Sequence, residues 1–231
     1  MARPLALATS YAASIARLGA GMRVAGLGKR PEQPLELYEF EACPHCRKAR
    51  EALSILDLDA RIFPCPRGGT RYRRVVQERG GKLRFPYLVD PNNRRTMYES
   101  RDIVRYLATE YGDGKVPLSL SLGPLTTLSS GVASAVRPTS GRAAVASRAP
   151  AQPLELWSFE ASPYCRLVRD ALCALELPYL LHNVAKGSPK RDTFVALSGK
   201  MQVPYLRDPN TGVAMFESAA IVRYLEQTYA I

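Results

Sequence analysis

The sequence predicts an α/β protein built from two tandem copies of one fold, each with the element order β-α-β-α-β-β-α. Three observations predict this architecture. A Cys-x-x-Cys pair, Cys43 and Cys46, stands between a short apolar strand and an amphipathic helix. Prolines that open strands alternate with glycine and Asp-Pro-Asn turns. The pattern of residues 34–113 then returns in residues 153–231.

Composition and charge narrow the class of protein. Of the 231 residues, 46% are hydrophobic, as in an ordinary globular protein. Five cysteines are too few, and odd in number, for a disulfide-stapled secreted domain, so we expect a reducing compartment. The net charge is +11, but residues 1–33 and 114–152 each carry +4 of it, outside the two repeats. We therefore expect no nucleic-acid partner, and no apolar run is long enough to span a bilayer.

The N-terminal segment, residues 1–33, is basic and has no acidic residue before Glu32. This composition is typical of an organelle transit peptide. One stripe of apolar residues recurs at helical spacing and predicts an amphipathic helix. The stripe is Leu7, Tyr11, Ile15, Leu18 and Met22. We expect it to dock on the protein itself, with a neighbouring subunit or a membrane surface as the alternatives.

The Cys43-Pro44-His45-Cys46 motif is predicted to begin the first helix of the first repeat, residues 34–113. Unpaired N–H groups and the helix dipole favour a thiolate at this position, so Cys43 is the candidate nucleophile. Pro44 fits the first helical turn, and Cys46 lies one turn on, where it can resolve a mixed disulfide. A structural zinc site needs about four ligands and no second pair follows, so we expect no metal. Inert buried thiols remain the other alternative.

The rest of the first repeat follows the same alternation. Strands are predicted over 60–65, 85–90 and 96–98, and helices over 72–79 and from Glu99-Ser100 onward. Cys65 ends the second strand, either as a third thiol near Cys43 or, as we favour, as a buried core residue. The basic cluster after it is expected to face solvent, with glutathione carboxylates as the alternative partners. Its members are Arg71, Arg73 and Arg74.

This order resembles the thioredoxin fold in its glutaredoxin and glutathione S-transferase N-terminal form. The resemblance rests on the Cys-Pro-His-Cys motif, on Pro86 and on Glu99-Ser100. It implies that Pro86 is cis and lies beside the nucleophilic sulfur. It also implies that Phe85 pairs main chain to main chain with glutathione, and that Glu99 and Ser100 bind the γ-glutamyl carboxylate. Glutathione is therefore the expected co-substrate.

The second repeat, residues 153–231, places Ser162-Pro163-Tyr164-Cys165 where the first has its cysteine motif, at an offset of 119 residues. Serine at the nucleophile position excludes a dithiol cycle there. Two alternatives stay open for Ser162: a hydroxyl that donates to a glutathione thiolate, or a helix cap in a degenerate copy. The glutathione contacts carried over are Val203, Pro204, Glu217 and Ser218. Cys173 is expected in the core.

The connector, residues 114–152, lacks acidic residues and is rich in leucine, serine and alanine. It is more apolar than a flexible linker requires. Since residues 1–33 have a similar character, we expect each repeat to carry its own preceding helix or apolar strap.

The resemblance reaches furthest toward tandem glutathione S-transferase N-terminal-domain proteins of plants and algae. These share the Cys-Pro-Arg-Gly phrase at 65–68 and the Val-Pro-Leu-Ser-Leu-Ser-Leu-Gly run at 116–123. The resemblance implies a plastid location, with the mitochondrion as second choice. A conventional transferase is not expected, because no all-helical domain follows either repeat.

Three functional hypotheses follow. The first is a glutathione-linked thiol–disulfide oxidoreductase that uses Cys43 and Cys46 on a thiol protein substrate. The second is an accessory or adaptor subunit of a larger organellar complex, such as a photosynthetic one, with the N-terminal segment in peripheral contact with a membrane complex. The third and least favoured is an iron–sulfur cluster shared by Cys43 of two chains, with glutathione as co-ligand.

Overall fold

The computed structural model describes residues 3–137 and 141–231. In them, eight strands form a mixed sheet of order β4-β3-β1-β2-β6-β5-β7-β8. The strands are β1 Leu35–Glu39, β2 Ala60–Pro64, β3 Tyr87–Asp90, β4 Arg95–Met97, β5 Leu154–Ser158, β6 Tyr179–Asn183, β7 Tyr205–Asp208 and β8 Val213–Phe216.

Helices cover both faces of this sheet and form the connector. They are α1 Arg3–Ala16, α2 Pro44–Ile55, α3 Tyr72–Gly80, α4 Ser100–Tyr111, α5 Leu118–Ser121, α6 Pro124–Ala135, α7 Pro163–Ala174, α8 Arg191–Ser198 and α9 Ser218–Tyr229. Each repeat thus has the expected β-α-β-α-β-β-α order. Among the described residues, no helix combines the length and apolarity needed to cross a membrane.

The two repeats join edge to edge. Strand β2 pairs antiparallel with β6, with Ala60 opposite Leu181 and Ile62 opposite Tyr179. This pairing satisfies the backbone groups of two strands that would otherwise be exposed edges. One hydrophobic core then runs through both repeats, including Leu53 in the first and Leu172 in the second. The tandem copies therefore share one sheet and one core.

The helix that precedes each repeat packs on the other repeat. Helix α1 lies against α7, and α6 lies against α2. The Ser10 hydroxyl donates to Pro163 O at 2.8 Å, and Ser130 donates to Pro44 O at 2.6 Å. Each repeat is thus preceded by a helix, as expected, but that helix packs on the other repeat. The pairing of β2 with β6 places the two repeats side by side, so each of these helices can reach the neighbouring repeat.

The residues that follow each helix also contact the repeat that comes next in the chain: Arg17 pairs with Glu51 at 2.6 Å and Arg137 with Asp170 at 2.5 Å. Ala25 N–H donates to Ile55 O at 2.9 Å, and Val145 N–H donates to Ala174 O at 2.7 Å. The internal repeat thus begins upstream of residue 34 and includes α1 and α6.

Helix α1 and the turn that follows it pack on the protein and leave part of the apolar stripe exposed. Ser10, Ala13 and Arg17 are buried, whereas Ile15 is 70% exposed and Leu18 is 95% exposed. Leu18 has a positive φ of 50°, so the helix has already ended at Ala16. The stripe thus docks on the protein only in part: Tyr11 meets Tyr164 of α7 edge to face, with ring centroids 6.0 Å apart, whereas Ile15 and Leu18 are exposed.

The connector behaves in the same way, burying Thr126, Ser130 and Ala133 of α6. Together with α1, it leaves a surface that we call the outer leucine face. This face consists of Leu5, Ile15, Leu18, Leu118, Leu122, Leu125 and Leu128, all of them exposed.

A group of buried charges, which we call the central ion cluster, lies between the repeats. Arg50 contacts Glu41 at 3.3 Å and Glu160 at 3.0 Å, and Arg169 contacts the same two carboxylates at 3.1 and 2.8 Å. Burial raises the pKa of Glu41, but Arg169 and Arg50 outweigh it and bring the pKa to about 2. The full cluster is Glu39, Glu41, Arg47, Arg50, Glu160, Arg166 and Arg169. The cluster links the two repeats, because Arg50 of α2 binds Glu160, which follows β5, and Arg169 of α7 binds Glu41, which follows β1.

Candidate active site

Cys43 caps the N-terminus of α2, as the sequence predicts. Its backbone is extended, with φ −74° and ψ 122°, and its sulfur accepts the N–H of Cys46 at 3.3 Å. Pro44 occupies the first helical turn, where its missing N–H costs nothing. A hydrogen bond from the Cys46 side chain and the N–H groups of Cys46 and His45 lower the pKa of Cys43 to about 7, although burial opposes them. The geometry therefore favours a thiolate at Cys43 near neutral pH.

Cys46 lies deeper and keeps its proton. It is fully buried, and this burial, together with the neighbouring Cys43 and Glu39, holds the pKa of the Cys46 thiol well above its usual value. Glu39 ends strand β1, and burial raises its own pKa to about 7 despite Arg50. The Cys43 thiol is therefore the more acidic of the two.

The peptide bond between Phe85 and Pro86 is cis, as the resemblance implies. The Phe85 ring meets Phe40 edge to face, with centroids 6.0 Å apart. Phe40 lies three residues before Cys43, so Phe85 stands beside the motif. Arg73 lies over the Phe85 ring at 4.9 Å and donates to Cys65 O at 3.0 Å.

Glu99 precedes α4 in a conformation that L-residues rarely adopt, with φ 61° and ψ 108°. Backbone of this kind is concentrated at functional sites. The Glu99 side chain is exposed and lies 3.7 Å from Arg84, whereas Ser100 is buried at the helix start. Glu99 therefore points its carboxylate outward at the N-terminus of a twelve-residue helix.

Two cavities flank the motif. The larger, about 690 Å³, is lined by His45, Glu99 and Ser100 together with residues of α4 and α6. The smaller, about 420 Å³, is lined by Phe40, Phe85 and Arg73 on the other side. The motif thus lies between the two cavities: His45 lines the first with Glu99 and Ser100, and Pro44 lines the second with Phe85.

Helix α6 covers the thiol itself. Cys43 is only 5% exposed, and the Ser130 hydroxyl of α6 holds the first turn of α2 through Pro44 O at 2.6 Å. A disulfide substrate could reach Cys43 from the flanking cavities only if α6 shifts.

The second repeat reproduces the backbone of this site with different chemistry. Ser162 caps α7 and its hydroxyl oxygen accepts the N–H of Cys165 at 3.3 Å. It is 4% exposed, beneath α1, where Ser14 donates to Ala161 O at 2.8 Å. The peptide bond between Val203 and Pro204 is cis, Glu217 has φ 71°, and Ser218 begins α9. Glu217 accepts a hydrogen bond from Gln202 at 2.5 Å.

Comparison with known protein families identifies the family of this chain. The profile described as "Glutathione S-transferase, N-terminal domain" matches residues 37–115 and 156–230, one segment in each repeat. The chain belongs to this family. The cis prolines and the positive-φ glutamates are thus found inside both segments that match the glutathione S-transferase N-terminal domain.

Individual relatives of the glutathione S-transferase family match over shorter lengths. "Glutathione S-transferase-like protein OpS6" of Beauveria bassiana is 31% identical over 78 residues, which is 34% of this chain and 36% of that protein. "Glutathione S-transferase-like protein tpcF" of Aspergillus fumigatus is 32% identical over 78 residues, 34% of each protein. The match therefore spans about a third of the length of these relatives.

One solved structure is similar over a longer stretch. It is titled "Leishmania TDR1 - a unique trimeric glutathione transferase", and it aligns over 87% of this chain and 68% of that one. The sequence identity is 13% and the TM-score is 0.32, values too low to support a conclusion about fold or function.

The remaining cysteines of this glutathione S-transferase family member are buried and free. Cys65 lies in the apolar cluster with Tyr38 and Val76, and burial, with Glu39 nearby, raises its pKa. Cys173 is also buried, and it forms two hydrogen bonds with the backbone. Its sulfur accepts Glu41 N–H at 3.4 Å and its thiol donates to Gly141 O at 3.3 Å. In the described residues, no cluster of three or more His, Cys, Asp or Glu side chains could hold a metal.

The basic cluster after Cys65 divides between two roles. Arg74 faces solvent as expected, but Arg71 donates to Leu175 O in the second repeat at 2.9 Å. Arg73 lines the smaller cavity, where a glutathione carboxylate is the alternative partner that the sequence left open.

Two buried side chains near the motif were not predicted from the sequence: Ser130 of α6, and Lys48 of α2, which lines the larger cavity. Ser130 had a signal: the series Ser10, Arg17, Gly21 recurs with the same spacing as Ser130, Arg137, Gly141. Lys48 had none, since a lysine on an amphipathic helix is normally solvated.

Proposed function

We propose that this protein is a glutathione-linked thiol–disulfide oxidoreductase that acts through Cys43. The observation that carries the proposal is the Cys43 sulfur at the N-terminus of α2, with a pKa of about 7. Its neighbours Pro44 and His45 each line a cavity. Membership of the glutathione S-transferase N-terminal family supports glutathione as the partner. Cys46, protonated and one turn on, is the proposed resolver.

The proposed reaction is a balanced exchange of disulfides. The Cys43 thiolate attacks a substrate disulfide, so a mixed disulfide forms and one substrate thiolate leaves. Cys46 gives its proton to that thiolate and attacks the Cys43 sulfur, which releases the second substrate thiolate to take a proton from solvent. Two glutathione molecules reduce the resulting Cys43–Cys46 disulfide and leave as glutathione disulfide. One substrate disulfide is reduced for each glutathione disulfide formed.

Glutathione is proposed to lie along Phe85, Pro86, Glu99 and Ser100, the positions carried over from the family. Arg73 adds a cation beside Phe85 that suits a carboxylate at the other end of the tripeptide. For the second repeat we propose the degenerate alternative. The Ser162 hydroxyl oxygen accepts a helix N–H beneath α1, which supports a capping role over a glutathione site at Val203, Pro204, Glu217 and Ser218.

An accessory subunit is the second candidate function. Two observations favour it: Cys43 lies under α6, and the outer leucine face exposes apolar side chains such as Leu118, at 75% exposure. Large exposed apolar surfaces commonly mark protein interfaces. A plastid location belongs to the same proposal, and import of the tagged full chain into isolated chloroplasts would test it.

The deciding experiment is the pH dependence of Cys43 alkylation by iodoacetamide, followed by mass spectrometry of the Cys43 peptide. We expect the rate to titrate with a midpoint near pH 7, and glutathione disulfide to leave a glutathionyl adduct on Cys43 that blocks alkylation. Cys43→Ser is the control for the other thiols. A midpoint near 8.5, the ordinary cysteine value, with no glutathionyl adduct would reject the oxidoreductase in favour of the accessory subunit.

A further inference from the structure

A glycine in the helix that covers Cys43 leaves room beside the motif. Gly131 lies inside α6, and no described atom outside its own stretch of helix lies within 4 Å of the position that a Cβ atom would take there. It lines the smaller cavity together with Ala42 and Pro44, the two chain neighbours of Cys43. Glycine destabilises a helix interior relative to alanine, and neither a close contact nor a positive φ requires it at this position. The room beside the motif is therefore what this glycine provides.

The covering helix of the second repeat has a large side chain at the same place. The hydroxyls of Ser10 and Ser130 make matching hydrogen bonds to the two motifs, so the residues that follow them, Tyr11 and Gly131, correspond. The Tyr11 ring meets Tyr164 of the second motif edge to face, with centroids 6.0 Å apart. The repeat without the nucleophilic cysteine is therefore covered by an aromatic ring where the other repeat has no side chain.

The smaller cavity is strongly basic. Arg67, Arg73 and Arg142 line it, and none of the described residues that line it is acidic. In the part of the chain that the structure describes, no carboxylate lies within ion-pair distance of Arg67 or Arg73. Glu176 lies close by, but it accepts the backbone N–H of Thr70 at 3.1 Å. A ligand that carries carboxylates would supply counter-charges to Arg67 and Arg73.

The second repeat carries no net charge at the corresponding positions, which hold one cation, one anion and one methionine. They are Lys186 for Arg67, Asp192 for Arg73 and Met22 for Arg142. Since both repeats build the same loop and the same helix, the fold does not require the three arginines. The positive charge accompanies the thiol.

We infer that the smaller cavity binds an acidic polypeptide, the disulfide substrate of the proposed reaction, which enters past Gly131 when α6 shifts and presents carboxylates to Arg67 and Arg73. The inference rests on the proposed thiol–disulfide exchange and names the class of its substrate, so the bonds that form and break are the same. Substrate and glutathione use the cavity in turn, because Cys43 attacks the substrate disulfide before glutathione reduces the Cys43–Cys46 disulfide. Arg73 therefore binds a carboxylate of each.

Reduction of three ten-residue peptides by the full chain, with glutathione as the reductant, tests the inference. Each peptide carries one cysteine as a disulfide with 2-mercaptoethanol, and either four glutamates, four glutamines or four lysines. After correction for the rate without protein, we expect kcat/KM for the glutamate peptide to be about tenfold above that for the glutamine peptide, with the lysine peptide slowest. The preference should shrink in about 0.5 M NaCl, because salt screens exposed charges. Equal values for the glutamate and glutamine peptides would overturn the inference and leave the oxidoreductase standing.

Variants place the substrate in this cavity. Gly131→Tyr, which gives α6 the side chain of α1, should lower kcat/KM for the glutamate peptide at least about tenfold, because the ring obstructs the approach to the motif. The exposed Val132→Tyr does not line this cavity and is the matched control, expected to leave the value unchanged. Arg67→Glu should lower the ratio of the glutamate to the glutamine peptide about fivefold, and the exposed Arg223→Glu should leave that ratio unchanged. An unaltered value in Gly131→Tyr, or an unaltered ratio in Arg67→Glu, would overturn the inference.

Binding separates this inference from the proposed function. Fluorescence anisotropy with labelled peptides that have serine in place of the cysteine measures affinity without any reaction. We expect the glutamate peptide to bind about tenfold more tightly than the glutamine peptide, and Arg67→Glu to remove most of that difference. Equal binding would overturn the inference. Selective binding with no reduction of any peptide would reject the oxidoreductase and keep the acidic-peptide site. If Gly131→Tyr does not fold, as judged by circular dichroism, the exposed Arg67→Glu decides.

Discussion

The first turns of α2 and α7 lie in matching places in the two repeats and carry different side chains. Cys43 of the first repeat corresponds to Ser162 of the second, Glu39 to Ser158, and Lys48 to Leu167. Away from these turns the repeats agree closely. Asp90 accepts hydrogen bonds from Tyr106 and Tyr111 at 2.5 Å each, and Asp208 accepts from Tyr224 and Tyr229 at 2.6 and 2.5 Å.

The difference separates what the fold needs from what reactivity needs. Both repeats keep the cis proline, the positive-φ glutamate and the arginine at the centre of the ion cluster. Only the first combines a thiol, a buried acid and a buried lysine on one helix turn and the strand before it. The scaffold is therefore present twice and the candidate chemistry once.

The largest expected effect concerns the shared scaffold. Arg50→Met and Arg169→Met should each lower the free energy of unfolding by about 3–5 kcal/mol, because each leaves Glu41 and Glu160 buried with one arginine fewer. Urea unfolding followed by circular dichroism measures this. The exposed Arg223→Met is the control and should stay within about 0.5 kcal/mol. A large loss for one arginine and none for the other would break the equivalence of the repeats.

The next effect concerns a position at which the repeats differ. Burial raises the pKa of Glu39 from 4.5 to about 7. The contribution of Glu39 to the free energy of unfolding is therefore most favourable below pH 4.5 and is lost as the pH rises through 7. Glu39→Gln should match the wild type near pH 5 and be roughly 2–3 kcal/mol more stable at pH 8. Urea midpoints at both pH values check it, with the exposed Glu32→Gln as control. A constant difference across this range would contradict the assigned protonation of Glu39.

The smallest effect tests the crossed helices. Ser130→Ala removes the hydrogen bond that holds α6 on Pro44, which should ease its displacement by about 1 kcal/mol and raise the Cys43 alkylation rate roughly two- to tenfold. Ser10→Ala removes the matching bond on the second repeat and should leave that rate unchanged. Iodoacetamide kinetics at pH 7.5 compare the two variants. Equal rates would mean that α6 does not control access to the thiol.

Much of the fold could be predicted from the sequence because local signals agree with one another. The strand, Pro-opened strand and Asp-Pro-Asn turn recur in both halves, and the observed elements of the first repeat lie within a residue or two of their predicted bounds. The crossing of α1 and α6 could not be predicted, since it depends on the pairing of β2 with β6, which no local pattern specifies. The apolar stripe of α1 misled for a related reason: periodicity shows which residues share a face, but not which face is buried.

The candidate site divides in the same way. The placement of Cys43, Phe85 and Glu99 followed from motifs, because capping and turn geometry are encoded within a few residues. The cover over Cys43 and the hydrogen bond between Lys48 and Thr127 depend on α6, which precedes the second repeat in the chain. Such contacts become visible only when the whole chain is folded.

The antiparallel pairing of β2 with β6, together with the exchanged helices, relates the halves by an approximate two-fold axis. Half of this chain, residues 1–115, would have an unpaired β2 edge and an α1 with no α7 beneath it. Such a half could satisfy both only by binding a second copy of itself, each lending its leading helix to the other. The tandem chain thus has the architecture of a symmetric, helix-exchanged dimer whose subunits are joined into one polypeptide. In a single chain such an assembly does not depend on concentration, and the two halves can carry different side chains, as Cys43 and Ser162 do.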